Sequence, residues 1–478
     1  MTMVRALIVA VTACLAAACA SEEKAPAFDR AAFGDTQEIT GFAALPEDVL
    51  GLWRSEGYGW IFDITPDGMT QYQVTQSFCF ETPEAARGLT DTLALDYRYY
   101  RAGPGGDALI LQLLPDDTEI FNTRIDALPG ACTDVSPERA TPSAVFDYFA
   151  ELVAENYAFF EVRDIDWQAR VAAARGDVSD DMADAALFDV LAGMIDGFSD
   201  SHTKLIAPMG EGLRRQQDGL GETLSFIRGE GRETEWLIGI FTALQEEILD
   251  AGSQHVGNDR ILWGTIGDGR VGYIQILQMG GFSGVDIGDP TFREAEFSVF
   301  DEVMDAALTA MAESEFVILD LSNNRGGYDA ISRRLASRFA DQAFEAYATE
   351  VPGTGVPARE RVIAPAGHIR YTGPVKLLTS DVTVSGGEIA TVALRQLPNV
   401  THYGATTRGS FSTVLSKPVP NGWVAELSNE RFLSPDGVLY EETGITPDVA
   451  LEVFPLDDPI GGHRRAVEAL LASGEPAE

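Results

Sequence analysis

Residues 375–388 have the sequence Val-Lys-Leu-Leu-Thr-Ser-Asp-Val-Thr-Val-Ser-Gly-Gly-Glu, in which an apolar run leads through a short turn to a serine and two glycines. The run Val375–Thr379 predicts a short buried strand, and Ile389–Leu394 predicts the helix that follows it. Ser385 is therefore expected at a helix N-terminus, where backbone N–H groups lack partners and the helix dipole is positive. Such amides can stabilise a developing oxyanion, and the two glycines would let a carbonyl group approach them.

The same stretch also has a purely structural interpretation. Ser385 and Glu388 have the spacing of a capping box, in which the serine caps the helix and the glutamate returns to its backbone. The local sequence leaves both interpretations open, and a nucleophilic serine would need a base. Among the histidines, His202 follows an amphipathic segment and lies in a polar loop just past a predicted helix end, although a lone loop histidine is more often a surface residue. The five histidines are His202, His255, His368, His402 and His463, and no two have the spacing of a zinc-binding pair.

Five short segments of the chain form an ordered set of motifs. They are Phe198-Ser-Asp-Ser-His-Thr203, Phe316-Val-Ile-Leu-Asp-Leu-Ser-Asn-Asn-Arg-Gly-Gly327, Ser385-Gly-Gly-Glu388, Gly404-Ala-Thr-Thr-Arg-Gly409 and Asp436-Gly-Val-Leu-Tyr-Glu-Glu-Thr-Gly-Ile-Thr-Pro-Asp448. In this order they resemble peptidase family S41, which contains the tail-specific and tricorn-like serine proteases. The resemblance runs from about residue 141 to residue 453, and the ordered set is more specific than any one motif.

The resemblance implies a serine nucleophile, a histidine general base, two oxyanion-hole amides and two accessory residues. Ser385 would be the nucleophile and His202 the general base. The oxyanion-hole amides would come from Gly386 and from Gly326 or Gly327, and the accessory residues would be Ser201 and Glu441. The position of the two glycines supports the oxyanion-hole role independently of the resemblance, because a Gly-Gly turn after a buried strand exposes amides at the edge where open α/β sheets bind ligands. The alternative is a tight turn that binds no ligand. Glu441 would stabilise the protonated imidazole through a bridging group, unless it is an exposed turn residue beside Glu442.

One departure from the family pattern indicates which branch the chain resembles. Tail-specific relatives carry a lysine base about 25 residues after the serine, and this chain has Ser410 there. Arg408 cannot replace the lysine, because a guanidinium stays protonated. A missing lysine together with His202 favours the histidine-dependent branch, in which an ordinary imidazole would suit hydrolysis at neutral to mildly alkaline pH. The resemblance implies no metal and no organic cofactor.

Alternating strand and helix patterns predict an α/β fold, and the resemblance implies a crotonase/ClpP-like catalytic core. Short β-like runs separated by turn signals predict a small β-rich domain before it, followed by a helical segment. Tail-specific relatives contain a PDZ domain with a carboxylate-binding Gly-Leu-Gly-Phe loop. The segment between the helical segment and the core is too short for such a domain and lacks that loop. The expected divisions are a signal peptide (1–18), a lipoprotein linker (19–40), the β-rich domain (41–140), a helical segment carrying His202 (141–208), a connecting segment (209–265), the core (266–456) and a C-terminal helix and tail (457–478).

The N-terminus has an apolar run that is too short for a membrane span and ends in Ala16-Ala-Ala-Cys19, which is typical of a secretory signal. We expect Cys19 to be acylated, with ordinary signal-peptidase cleavage as the alternative. The chain would then be an envelope lipoprotein of a bacterium, expected at the outer membrane and facing the periplasm, or a secreted protein. In such an oxidising compartment Cys79 and Cys132, the only other cysteines of the mature chain, are expected to form a disulfide.

Charge excludes some partners. The net charge is −40, so the surface repels nucleic acid and anionic lipid, and membrane contact is expected only through the Cys19 anchor. The expected partner is a peptide or protein substrate, cleaved by a secreted or lipid-anchored serine endopeptidase. Two alternatives stay open: a non-catalytic protein that binds lipid or peptide on the same fold, and an esterase that uses the same groups.

Overall fold

The computed structural model describes residues 28–83, 86, 89, 97–133 and 140–473. Cys19 and the predicted signal peptide lie outside these residues. The first structural unit is an antiparallel eight-stranded sheet in the order β1-β6-β7-β8-β2-β3-β4-β5. Its strands are β1 (Gln37–Glu38), β2 (Gly51–Ser55), β3 (Trp60–Thr65), β4 (Gly68–Val74), β5 (Cys79–Glu81), β6 (Tyr99–Ala102), β7 (Ala108–Gln112) and β8 (Ile120–Ile125).

The remaining chain alternates strands and helices, so the predicted α/β class is confirmed. Its strands are β9 (Lys204–Met209), β10 (Gly212–Gln217), β11 (Gln254–Val256), β12 (Ile261–Ile266), β13 (Val271–Ile276), β14 (Phe316–Asp320), β15 (Phe344–Glu350), β16 (Arg359–Ile363), β17 (Val375–Thr379), β18 (Val400–Gly404), β19 (Val414–Pro418), β20 (Val424–Ser428), β21 (Arg431–Leu433) and β22 (Val449–Ala450). Its helices are α1 (Pro142–Asn156), α2 (Trp167–Ala174), α3 (Asp184–Ile195), α4 (Glu222–Gly229), α5 (Glu233–Ala243), α6 (Phe292–Ala310), α7 (Asp329–Ser337), α8 (Gly386–Leu394) and α9 (Pro459–Ala472).

A seven-stranded mixed sheet in the order β11-β12-β13-β14-β17-β18-β22 forms the centre of this part. From β13 to β22 neighbouring strands are parallel, and their apolar side chains pack against α6, α7 and α8 on one face. Strands buried on both faces are typical of parallel sheets, which explains why β13, β14 and β17 are rich in apolar residues, although β13 contains Gln275 and β17 contains Lys376. The predicted strand Val375–Thr379 is confirmed with the same bounds.

Two smaller sheets complete the fold. One has the order β10-β9-β20-β19 and packs against α1 and α3, whose apolar faces form a second core. The other has the order β16-β15-β21. The structural elements cross three of the expected divisions. β1 begins at Gln37, inside the expected linker, β9 crosses the expected boundary at residue 208, and the seven-stranded sheet begins at Gln254, inside the expected connecting segment.

Cys79 and Cys132 are joined as a disulfide that ties β5 to the segment after β8. Across the described part of the chain, the helices are too short or too polar to span a bilayer. In the same residues no three histidine, cysteine or acidic side chains lie close enough together to hold a metal ion.

Candidate active site

The candidate site lies where three neighbouring parallel strands end. Strands β14, β17 and β18 lie side by side, and the loops at their carboxyl ends carry the glycine turn, Ser385 and Ser410, respectively. This edge of an open α/β sheet is the usual place for a ligand. A cavity of 330 Å³ opens here. Its walls come from the N-terminal sheet as well as the core and include Tyr58, Asp117, Gly327, Ser385, Phe411 and Glu430.

Ser385 has a backbone conformation that a serine rarely adopts. Its φ is +54° and its ψ is −119°, immediately before the first residue of α8. For a residue with a Cβ such a conformation costs on the order of 1–3 kcal/mol, and it persists only where the surroundings hold it in place. Here the Ser385 N–H donates to the carbonyl of Ser410 at 3.0 Å and to the Glu388 carboxylate at 3.2 Å. Glu388 thus makes the contact expected of a capping box, and Ser385 is one of the residues that line the cavity.

The amides around Ser385 are not equally available. Among the described residues, the N–H groups of Gly327 and Gly386 have no hydrogen-bond acceptor, whereas Gly326 donates to the Asn324 side chain at 2.9 Å. The expectation that Gly326 could supply an oxyanion-hole amide is therefore corrected, because its amide is already bonded. Gly326 is required for space instead, since a Cβ there would lie 2.7 Å from the Ser385 Cβ.

The two available amides lie close to each other. A Cβ on Gly386 would lie 3.0 Å from the Gly327 nitrogen, and a Cβ on Gly327 would lie 2.5 Å from the Met279 carbonyl oxygen. Only glycine fits at either position without displacement of its neighbours. The turn is fixed from the other side by Met279, which donates to the Gly326 carbonyl at 2.7 Å and accepts from the Tyr328 amide at 2.6 Å.

His202 is buried rather than a surface residue, and its Nδ1 has no hydrogen-bond partner among the described residues. Its backbone N–H donates to Asp200 at 3.1 Å. Burial lowers the pKa of His202 to about 4, and the positive charges of Lys204, Arg408 and Arg163 add to that effect while Asp200 opposes it. The imidazole is therefore neutral at neutral pH and able to accept a proton. Within the described part of the chain it shares no hydrogen bond with Ser385, and it is not among the residues that line the cavity.

Ser410 joins the two candidate segments. Its carbonyl accepts from the Ser385 N–H at 3.0 Å, and its hydroxyl accepts from the Ser201 N–H at 3.0 Å. Its own N–H donates to Glu388 at 2.9 Å. Ser410, which lies 25 residues after Ser385, thus connects the serine turn to the loop of His202. Ser201 itself reaches this network through its backbone, because the described contacts of Ser201 involve its N–H and its carbonyl.

Glu441 is buried, so the alternative of an exposed turn residue is excluded. It accepts from Arg163 at 3.1 Å and from the Phe411 N–H at 2.9 Å. Burial raises the pKa of Glu441 well above its ordinary value, the nearby Asp200 raises it further, and Arg163 opposes both. Arg163 also lies 3.7 Å from the Asp200 carboxylate, so Glu441 connects to the His202 loop through the two intervening charges.

Asp200 and Arg163 were not predicted as site residues. Asp200 is fully buried and accepts from the amides of His202 and Thr203, and from the hydroxyls of Thr203, Tyr157 and Ser428. It therefore fixes the backbone that carries His202. Its place two residues before His202 in the Asp-Ser-His run was a usable signal. Arg163 lies in no motif, and nothing in the local sequence distinguishes it.

Residues 270–451 match the model of Peptidase family S41. A curated relative, the carboxy-terminal processing protease CtpA of Bacillus subtilis (strain 168), is 26% identical over 174 residues, which are 35% of this chain and 36% of that protein. Probable CtpA-like serine proteases of several Staphylococcus aureus strains are 24% identical over 167 residues. The chain spans about a third of the length of the curated relatives that it matches.

Solved structures show the same fold. The crystal structure of a candidate peptidase from Parabacteroides merdae ATCC 43184 has a TM-score of 0.56 and 24% identity, and the match covers 71% of this chain and 99% of that one. Mature CPAF complexed with lactacystin has a TM-score of 0.50 and 13% identity, with 70% and 98% of the two chains covered. At sequence identities of 24% and 13%, these two structures support a shared fold and nothing beyond it.

Proposed function

We propose that this protein hydrolyses peptide bonds, with Ser385 as the nucleophile and His202 as the general base, because residues 270–451 match the model of peptidase family S41. The observation that carries the proposal is the surroundings of Ser385. Ser385 lies in the cavity wall with a strained backbone, and the neighbouring amides of Gly327 and Gly386, which have no acceptor among the described residues, are of the kind that stabilise an oxyanion.

In the proposed reaction the Ser385 Oγ attacks the carbonyl carbon of the scissile peptide while His202 takes the hydroxyl proton. The carbonyl oxygen becomes an oxyanion, and the amides of Gly327 and Gly386 donate to it. His202 then gives the proton to the leaving nitrogen, and the C–N bond breaks to leave an acyl group on Ser385. A water molecule then attacks the acyl carbon while His202 takes its proton. The bond between the acyl carbon and the Ser385 Oγ breaks, His202 returns the proton to Oγ, and the carboxylic acid product leaves. We propose that Ser201 and Glu441 support catalysis by holding the loop that carries His202 in place.

The protonation states fit this sequence of steps. A lowered pKa keeps the His202 imidazole unprotonated at neutral pH, so that it can receive the serine proton. The hydrogen bond between the two groups has still to form, because the structure shows none. Such bonds are often long or absent without substrate and tighten in the complex. We propose that a substrate in the cavity brings the His202 loop towards Ser385.

One observation favours a second function, which is non-catalytic binding of a lipid or peptide in the cavity. It is the same missing hydrogen bond, because a binding protein on this fold has no need of it. An esterase would use the same serine and amides and would differ only in the leaving atom, which is oxygen instead of nitrogen.

The test compares three proteins on a peptide library and on a set of acyl esters: the wild type, Ser385→Ala and His202→Ala. We expect peptide cleavage by the wild type and a loss of about a thousandfold or more in both variants. Cleavage of esters alone would assign an esterase. Absence of any turnover, with binding of acyl chains or peptides in the same cavity, would assign the binding function.

We also propose that the protein is a periplasm-facing lipoprotein anchored through Cys19. The support is the sequence Ala16-Ala-Ala-Cys19 and the charged residues after it. The full-length chain expressed in a bacterium should fractionate with membranes, and Cys19→Ser should move it to the soluble fraction. An unchanged distribution would contradict the anchor.

A further inference from the structure

The loop between β7 and β8 lies against the turn that carries the Gly327 amide. Within this loop the Asp116 carboxylate accepts from the Tyr328 hydroxyl at 2.6 Å and from the Arg293 Nε at 3.1 Å. The Asp116 carbonyl accepts from Arg333 at 2.8 Å. Tyr328 directly follows Gly327, Arg293 belongs to α6 and Arg333 to α7. One residue of the N-terminal sheet is thus bound by three elements of the catalytic part.

The same loop continues into the cavity beside Ser385. Asp117, Thr118 and Glu119 line it together with Gly327 and Ser385. The Asp117 carbonyl accepts from Arg359 at 3.1 Å, and the Glu119 carboxylate lies 3.5 Å from the same guanidinium. The loop is therefore part of the candidate site and not only a contact between two distant domains.

We propose that Asp116 is a positioning residue for the reaction, which holds Tyr328 and through it the amide of Gly327 in the orientation that receives the oxyanion. This inference rests on the proposed function. It also gives the N-terminal sheet a role. The loop between its strands β7 and β8 holds the residue after Gly327 through a contact that residues 270–451 do not themselves provide.

The geometry explains why Tyr328 needs this support. Gly327 has a φ of +131° and no side chain, so only its neighbours determine the orientation of its peptide groups. On the amino side Gly326 is fixed by Asn324 and Met279. On the carboxyl side the Tyr328 N–H donates to Met279 and its carbonyl accepts from the Ile331 N–H at 3.0 Å. Its ring stacks on Phe297 at 6.1 Å, and its hydroxyl donates to Asp116.

The Tyr328–Asp116 bond is a charge-assisted one. Burial raises the pKa of Tyr328, and the Asp116 charge raises it further, so the phenol keeps its proton and donates at every pH of interest. Hydrogen bonds to a carboxylate are stronger than those between neutral groups. Loss of this bond leaves the ring stack and two backbone bonds to hold the residue after Gly327, and it removes the described hydrogen bond of the Tyr328 side chain.

The experiment measures kcat and KM for a cleaved peptide, and the rate of labelling by a fluorophosphonate, in the full-length protein. Asp116→Ala removes the acceptor, Tyr328→Phe removes only the hydroxyl, and Asp116→Asn keeps an acceptor oxygen. The control Arg98→Ala removes a different contact between the two parts, from the Arg98 guanidinium to the Gly288 carbonyl. Melting curves for every variant show whether it is folded.

We expect kcat to fall about tenfold to a hundredfold in Asp116→Ala and in Tyr328→Phe, with KM within about twofold of the wild type, because a displaced oxyanion donor weakens only the transition state. The double variant should lose no more than either single one. Asp116→Asn should recover most of the activity, and Arg98→Ala should keep all of it.

Three results would overturn the inference: a wild-type kcat in Tyr328→Phe, a loss confined to KM, or an equal loss in Arg98→Ala. Tyr328→Phe decides the matter if Asp116→Ala does not fold. Failure of the proposed function is distinguishable, because the wild type itself would then show neither turnover nor labelling.

Discussion

The pH dependence of catalysis gives a sharp test of the environment of His202. An ordinary histidine titrates near 6.5, whereas burial and three nearby cations lower the pKa of His202 to about 4. A base must be unprotonated to act, so kcat/KM should follow the neutral fraction of His202 in the free protein. At pH 5.5 that fraction is about 97% for a pKa of 4 and about 9% for a pKa of 6.5. The structure therefore predicts near-full kcat/KM at a pH where an ordinary histidine would have lost most of it.

The assay is the initial rate of cleavage of an uncharged peptide at low concentration, from pH 3.5 to 8. Lys204→Met provides a matched perturbation, because Lys204 is the largest cause of the shift after burial. Its removal should move the acid limb to higher pH. Asp117→Asn is the control, since burial raises the pKa of that cavity carboxyl to about 7 and its titration could also bend the profile. If the fall of kcat/KM at low pH disappears in Asp117→Asn, that fall reports the titration of Asp117 and not that of His202.

Stability has to be followed over the same range, and its sign can be worked out. The unfolded chain binds a proton at His202 below about 6.5, and the folded chain does so only below about 4. The unfolded state therefore binds more protons between these values, so His202 makes the protein less stable as the pH falls through this window. Circular dichroism identifies the pH values at which the protein is folded. A limb near pH 6.5 in the folded protein, unchanged in Lys204→Met, would refute the reasoning.

Two further predictions concern stability. Arg163→Met should lower the free energy of unfolding by roughly 3–5 kcal/mol, because it leaves the buried carboxyls Asp200 and Glu441 without their cation. Glu442→Gln, which removes the more exposed carboxylate of the same arginine, should cost below about 1 kcal/mol, and equal losses in urea denaturation would contradict this account. The Cys79–Cys132 disulfide should appear in the mature protein as a peptide pair separated by reduction, and Cys79→Ser should cost about 2–4 kcal/mol. Two free thiols in protein recovered from the periplasm would reject the bond.

The sequence was sufficient for the elements that depend on local pattern. The strand Val375–Thr379 has three apolar residues among its five and follows the turn signal Gly373-Pro374, a pattern that fits a short strand buried on both faces. Ser385 at the start of α8 followed from the same stretch, because two glycines and a glutamate mark a helix N-terminus. The glycine turn after β14 was predictable for a similar reason, since a close approach of two loops requires residues without a Cβ.

What the sequence could not predict depends on contacts between distant segments. The choice of Gly327 over Gly326 follows from one hydrogen bond of Asn324, and no property of the turn sequence distinguishes the two glycines. The lowered pKa of His202 comes from burial and from charges at positions 163, 204 and 408, which only the fold brings together. The same holds for Asp116, which lies more than two hundred residues before the turn that it contacts.

The central claim is that Ser385 is a nucleophile, and the most direct measurement is the site of covalent labelling. Wild-type protein treated with a fluorophosphonate should gain one adduct by intact mass, and peptide mapping should place it on Ser385. Ser385→Ala should gain none under the same conditions. Absence of an adduct in the folded wild type, or equal labelling of wild type and Ser385→Ala, would contradict the account.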